Sequence, residues 1–284
     1  MHSSRVLGSG ILILALACAA IWYATVREDR TGRMTVSFLD IGQGDAIFIE
    51  APSGRQVLID GGPAGGGILR KLSTVMPFYD RSIDVIIPTH PDADHIAGLI
   101  PVLSRYEVAY IVHSDVAGDT QTARELMAAM HREGAADIVA QRGQIIDLGG
   151  GAYLEILSPD RSVPRLSTND ACVVTRLVYG TTAFILSCDA PQAIEKYLVA
   201  LDGSALRSNV LKAGHHGSRT ASAPLFVGIV DPQWVVYSRG CGNSYGFPHK
   251  ETIDTMARFN IPVVDTCKEG SITFVSDGRS VSRR

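Results

Sequence analysis

Charge of one sign is what this sequence most plainly lacks: 26 lysines and arginines stand against 29 acidic residues, a formal net charge of −3. That balance excludes a whole-protein attraction for nucleic acid or for an anionic membrane. Any anionic substrate would have to be drawn in by a local site. Aromatic residues are scarce at 7%, and no run of them is dense enough to forecast stacking on bases. There is no low-complexity tract and no short-period repeat. Hydrophobic content of 46% with 19% charged residues is globular rather than disordered.

Long uncharged runs are nearly absent as well. The single one is Val6 to Val26, 21 residues bounded by Arg5 and by Arg27, Glu28, Asp29 and Arg30. It is long enough to cross a bilayer once, and one such segment cannot line a channel. An uncleaved membrane anchor is the preferred reading, because the run continues through Ile21, Trp22 and Tyr23 toward an interface. A cleaved signal peptide competes, with Ala17-Cys18-Ala19 as a small-residue site and Cys18 as a poor lipidation site. All of these readings place the remainder outside the cytoplasm. Residues 1–33 are therefore expected to be anchor and linker, and 34–284 the working domain.

Cysteine is sparse, five in all. Cys172 and Cys188 flank an expected hairpin turning near Gly180-Thr181 and would face each other across it. Cys241 and Cys267 each follow an expected strand. Two disulfides in an oxidising compartment, or four small buried thiols, are the alternatives.

What the chain does have is concentrated. Thr89-His90-Pro91-Asp92-Ala93-Asp94-His95 follows the apolar run Ile83 to Pro88, which reads as a buried strand. Two imidazoles and two carboxylates at a strand's end would repel or waste one another unless a cation joined them. Imidazole with carboxylate suits zinc, or manganese where oxygen dominates. A helix N-cap with surface histidines is the competing account.

The rest of the sequence repeats this placement. A β-rich opening (Thr35–Asp40, Ala46–Glu50, Gln56–Asp60) gives way to alternating helices and strands, with helices expected at Gly67–Val75, Ile96–Arg105 and Thr122–Arg132. A second β-rich block from Gly143 is followed by the same alternation, and the final Ser-Arg-Arg reads as a loose tail. Two pseudo-repeated halves, with two packed sheets and helices outside, are the expectation. Further polar clusters sit at strand ends: Asp60-Gly61-Gly62, Asp189, His215-His216-Gly217-Ser218, and Asn243 with Tyr245 and His249.

Together these clusters resemble the metallo-β-lactamase superfamily. Phe38-Leu39-Asp40-Ile41-Gly42-Gln43-Gly44-Asp45-Ala46, the His-His-Gly-Ser stretch and Asn-x-Tyr-Gly-x-Pro-His resemble one branch of it, the metallohydrolase domain of ComEC competence proteins and their free-standing relatives. The resemblance covers about residues 35–276. It implies a four-layer αββα sandwich with metals at one edge. It also implies one site from Asp94, His95, Asp189 and either His215 or His216, and another from His90 and Asp92 with Asp189 bridging. Asp92 and Asn169 stand where the superfamily has histidines, which favours manganese at the oxygen-rich site, or a single metal overall. Asp60 is implied behind the ligands.

On this resemblance the expected activity is phosphodiester hydrolysis, of DNA outside the membrane, through water activated by two divalent ions (zinc or manganese). Asp94 would accept the proton, and His249 with Tyr245 or Asn243 would donate to the leaving oxygen. Lys212, Arg219, Arg239 and Lys250 are candidates for binding phosphate, at least two of them being expected to be plain solvated charge. Gln43 and Asp45 are candidates for facing substrate, with a turn-shaping role for Asp40 and Asp45 as the alternative, and Ser218 lies beside the ligands. Two other functions remain open: hydrolysis of a small ester, amide or β-lactam, and a non-catalytic DNA-binding partner of a separate uptake channel.

Overall fold

Strands in which every residue is enclosed need cover on both faces, and the computed structural model supplies it. It describes residues 11, 12, 14–19 and 22, then 32–284 without interruption. The chain divides into two units, 1–31 and 32–284. Most of the apolar run 6–26 lies outside the described residues, and among those described no helix is long and apolar enough to cross a membrane. The second unit holds both sheets.

Eight strands form the first sheet. β1 (Met34–Phe38), β2 (Ile47–Glu50) and β3 (Gln56–Ile59) run as an antiparallel meander, and β4 (Ser82–Ile87), β5 (Glu107–His113) and β6 (Ala136–Val139) continue parallel to β3. The second sheet repeats the plan. β7 (Ile145–Gly149), β8 (Ala152–Ser158), β9 (Val174–Tyr179) and β10 (Thr182–Leu186) are antiparallel neighbours, followed by parallel β11 (Val210–Lys212), β12 (Trp234–Tyr237) and β13 (Val263–Asp265). The chain then returns to the first sheet as β14 (Ile272–Ser276), antiparallel to β1, and β15 (Val281–Arg283).

Between the sheets lies a core of alternating inward residues, including Phe38, Phe184 and Phe274, whose rings meet edge-on at 6.1 and 6.3 Å. Burying such a ring contributes about 1.5–3 kcal/mol. On the outer face of the first sheet, the helices Ile68–Val75, Ala93–Ile96, Leu99–Leu103 and Gln121–Glu133 enclose a second core. Gln192–Asp202, Pro224–Val230 and Lys250–Arg258 enclose a third over the other sheet. The result is a four-layer αββα sandwich of two similar halves.

Two local expectations are corrected. The helix foreseen from Ile96 to Arg105 is two short ones, Ala93–Ile96 and Leu99–Leu103. Gly98 stands between them: its amide donates to Gly62 O at 2.8 Å instead of back along the helix, and an added Cβ would fall 1.9 Å from Gly61 O. The C-terminal residues are not a loose tail: Val281–Arg283 pairs with β14, and Arg283 forms an ion pair with Glu269. Ala136–Val139, to which the sequence assigned no element, is the edge strand β6. Of the two alternatives for the cysteines the structure takes the disulfides, pairing Cys172 with Cys188 and Cys241 with Cys267.

Candidate metal centre

In both halves the parallel strands deliver their carboxyl ends to one edge, where loops need not satisfy a ladder. Asp60 follows β3 with a left-handed backbone (φ 57°) and is fully buried. Its Oδ1 accepts from Thr89 N, and its Oδ2 accepts from Thr89 Oγ1 and from His95 Nδ1, each at 2.8 Å. Thr89 Oγ1, its proton spent on Asp60, accepts from His90 Nδ1 at 2.9 Å. One carboxylate thus sets the tautomer of two rings. In the other half, His216 Nδ1 donates to the carbonyl of Ser238 at 2.9 Å.

The consequence is shared by all three rings. His90, His95 and His216 are each at most 2% exposed, their Nδ1 atoms are bonded behind them, and their Nε2 atoms are buried without a hydrogen-bond partner. Those nitrogens face carboxylates. Asp189 Oδ2 lies 3.4 Å from both His95 Nε2 and His216 Nε2, Asp94 Oδ2 lies 3.4 Å from His216 Nε2, and Asp92 Oδ2 lies 3.6 Å from His90 Nε2. His215 Nε2 approaches Asp189 Oδ2 at 3.6 Å from a ring that is 27% exposed. His216 is therefore the inner histidine and His215 the rim. Orphaned imidazole nitrogens set among carboxylates are the donor set of a divalent cation, so the residues present fit the metals implied by the resemblance.

Asp45, His95, Asp189 and His216 each offer a donor atom within 4.8 Å of the others. Asp45 nevertheless belongs behind the site. It approaches the Nδ1 side of His216 (3.5 Å) and of His95 (3.9 Å), and its Oδ2 is held by the Lys212 ammonium at 2.5 Å. Lys212 is fully buried and also donates to Cys188 O at 2.7 Å and toward Asp189 Oδ1 at 3.4 Å. Lys212 is thus committed inside the protein rather than to a phosphate, and Asp45 is its counter-ion rather than a substrate contact.

Electrostatics follow from this crowding. Burial alone would raise the Asp45 carboxyl, but Lys212 and then His216 hold it well below the ordinary range. Burial opposes the charged form of Lys212 too, yet Asp45 and Asp189 raise its pKa. For His216 burial is outweighed by Asp189 and Asp45, which push it up to about 9. His95 is raised in the same way, against burial, by Asp189 and Asp60. Protons on these rings stand where cations would bind, and metal binding would expel them.

The remaining expected residues are placed differently. Arg239 is buried against Asp265, with its Nη1 donating to Phe247 O. Arg219 and Lys250 are exposed and paired with Glu251 and Asp254. Asp40 faces Lys71 at 3.4 Å. Ser218 is buried, its hydroxyl bonded to Thr220. Asn243 is a loop staple rather than a proton donor: Nδ2 donates to Gly240 O and Phe247 O, and Oδ1 accepts from Phe247 N. His249 Nδ1 accepts from Arg219 N at 3.0 Å, which leaves Nε2 as the proton-bearing atom. Gln43 Oε1 accepts from Gly240 N while its Nε2 is buried and unpaired, as is Asn169 Oδ1. Sequence reading missed Thr89, Ser238 and Phe247, which carry no charge to draw attention.

Residues 39–224 match the family Lactamase_B, the Metallo-beta-lactamase superfamily. Among curated proteins the chain is 26% identical over 279 residues to ComE operon protein 3 of Bacillus subtilis, covering 91% of this chain and 35% of that one. It is 27% identical to Recombination protein 2 of Haemophilus influenzae, covering 84% and 28%. It therefore spans about a third of the length of these relatives. Among solved structures, the metallo-beta-lactamase fold protein YhfI from Bacillus subtilis superposes with TM-score 0.58 at 14% identity, covering 86% of this chain and 99% of that one. CmlA, a diiron beta-hydroxylase from Streptomyces venezuelae, superposes with TM-score 0.53 at 12% identity, covering 82% and 52%. These likenesses are of fold and leave the reaction to be argued from the site. With the sandwich, the edge placement of its histidines and aspartates, and a family match across most of its length all agreeing, the chain belongs to the metallo-β-lactamase superfamily.

Proposed function

We propose that this metallo-β-lactamase-fold hydrolase is a phosphodiesterase acting on single-stranded nucleic acid, DNA first among them, on the outer side of a membrane. The observation that carries the reading is the convergence of the buried, unpartnered Nε2 atoms of His90, His95 and His216 on Asp92, Asp94 and Asp189. Similarity to Recombination protein 2 and to ComE operon protein 3 supports nucleic acid as the substrate class.

His90, Asp92, Asp94, His95, Asp189 and His216 would hold the cations, zinc or manganese. Two divalent ions together with the Lys212 ammonium would match the charge of the five carboxylates gathered here, Asp45, Asp60, Asp92, Asp94 and Asp189. Bound metal would polarise a phosphoryl oxygen and acidify water. The chain's own groups do the rest. Asp94, a third exposed and at the mouth of the cluster, accepts the proton of the attacking water. His249, with its proton on Nε2, would donate to the departing oxygen. Asp60 and Ser238 O keep the rings turned with Nε2 inward.

The test is cleavage of end-labelled single-stranded DNA by the full chain with zinc or manganese, beside Asp94→Ala and His95→Ala. Metal-dependent shortening that disappears in both variants supports the proposal. A folded, metal-loaded chain that leaves DNA and RNA oligonucleotides intact rejects it.

A further inference from the structure

Tyr245 is the most exposed aromatic side chain near the metal centre, with 62% of its surface open. Its ring is stacked on Phe247, centroids 5.2 Å apart and planes 14° from parallel. Phe247 in turn is buried among the site's histidines, with its centroid 5.5 Å from His215, 6.2 Å from His216 and 5.1 Å from His249. A continuous pile of rings therefore runs from an inner histidine to a tyrosine facing solvent, one ring removed from the metal centre.

The loop that presents this pile is braced from several sides. Cys241 is tied to Cys267, Asn243 makes three hydrogen bonds across the loop, and Arg239, itself anchored on Asp265, donates to Phe247 O. A loop so fixed holds Tyr245 in place and spares a ligand much of the cost of ordering it. What Tyr245 offers a ligand is the open face of its ring.

We infer that Tyr245 is a stacking platform for a nucleobase next to the phosphate held at the metal centre. It selects single strands, whose bases can leave their neighbours and lie on the ring. A base has an exposed π-face whatever its identity, so the platform is indifferent to sequence. This inference rests on the nucleic-acid reading above, and it replaces the proton-donor role expected for Tyr245.

The experiment uses the full manganese-loaded chain and a single-stranded phosphorothioate oligonucleotide carrying 2-aminopurine, whose fluorescence is quenched on stacking. The intact chain is expected to quench it. Tyr245→Phe, which keeps the ring and loses the hydroxyl, should quench it comparably. Tyr245→Ala should abolish the quench and weaken binding by roughly 5- to 150-fold. Quenching retained in Tyr245→Ala, in a chain that cleaves DNA, overturns the platform and leaves the nuclease reading standing. Loss of the quench in Tyr245→Phe as complete as in Tyr245→Ala also overturns it, because the hydroxyl then matters more than the face. Failure of the intact chain to bind or cleave any oligonucleotide removes both.

Discussion

Lys212 Nζ lies 2.5 Å from Asp45 Oδ2, both residues enclosed, in strands and loops that come from opposite halves of the sandwich. The pair sits directly behind the histidines and joins the two sheets at the edge where the chemistry is placed.

Lys212→Met is therefore expected to destabilise the fold by about 3–5 kcal/mol, since it leaves a buried carboxylate without its counter-ion. Adding Asp45→Asn should restore a substantial part of that loss. Chemical denaturation of both single variants and the double variant measures the coupling. Additive losses in the double variant would show that the pair does not act as a unit.

Asp60→Ala removes the acceptor that turns both His95 and, through Thr89, His90. Metal affinity should fall about 10- to 100-fold, read by competition with a chromophoric chelator. Wild-type affinity would mean that the ring orientations are set elsewhere.

Gly44→Ala should damage the site before it damages the fold. The residue has φ 121°, and an added Cβ would lie 1.9 Å from Asp94 O. Displacing that backbone moves a ligand, so metal binding should drop more than melting temperature. The comparison requires only calorimetry and a metal titration on the same variant.

Glu195 gives the fold a pH dependence of its own. Its two carboxylate oxygens accept from Ser222 N and Ala223 N at 2.8 and 2.7 Å, inside the packing of the second sheet's helices. Burial outweighs those bonds and pushes its pKa from 4.5 up to about 7. The folded state then holds a proton that the unfolded chain gives up above pH 4.5. Its stabilising contribution is complete below that value, declines as pH rises toward 7, and is gone above it. Glu195→Gln, which puts an NH2 against one of two donors, should flatten that slope and destabilise by about 1–3 kcal/mol. Urea midpoints between pH 5 and 8 supply the measurement.

The strands bearing the site were legible because a β-branched apolar run ending in Asp, His or Gly is seldom anything but a buried strand delivering polar groups to its end. Ile83 to His95 shows this: burial, strand end and donor atoms are all adjacent in sequence. β6 and β15 were not legible, being short edge strands of which Ala136, Asp137, Val139, Ser282 and Arg283 are exposed. The Asp45–Lys212 pair was hidden by distance along the chain, although a lone lysine in Val210-Leu211-Lys212-Ala213 was a signal that it must be buried with a partner. The choice between His215 and His216 depended on which ring finds a carbonyl behind it, and spacing does not carry that.

The return of β14 to pair with β1, Phe38 against Ile272, bears on how this domain comes into being. As the chain is made, the first sheet stands with a bare edge at β1 while the whole second half is still being assembled. That edge is covered only with the arrival of residues 272–283. Until then the N-terminal half carries an unpaired, apolar strand open to any neighbouring chain. Removing β14 and β15 should therefore reach far beyond the residues deleted, replacing a short, exposed edge strand by the buried, apolar β1 as the edge at which copies pair.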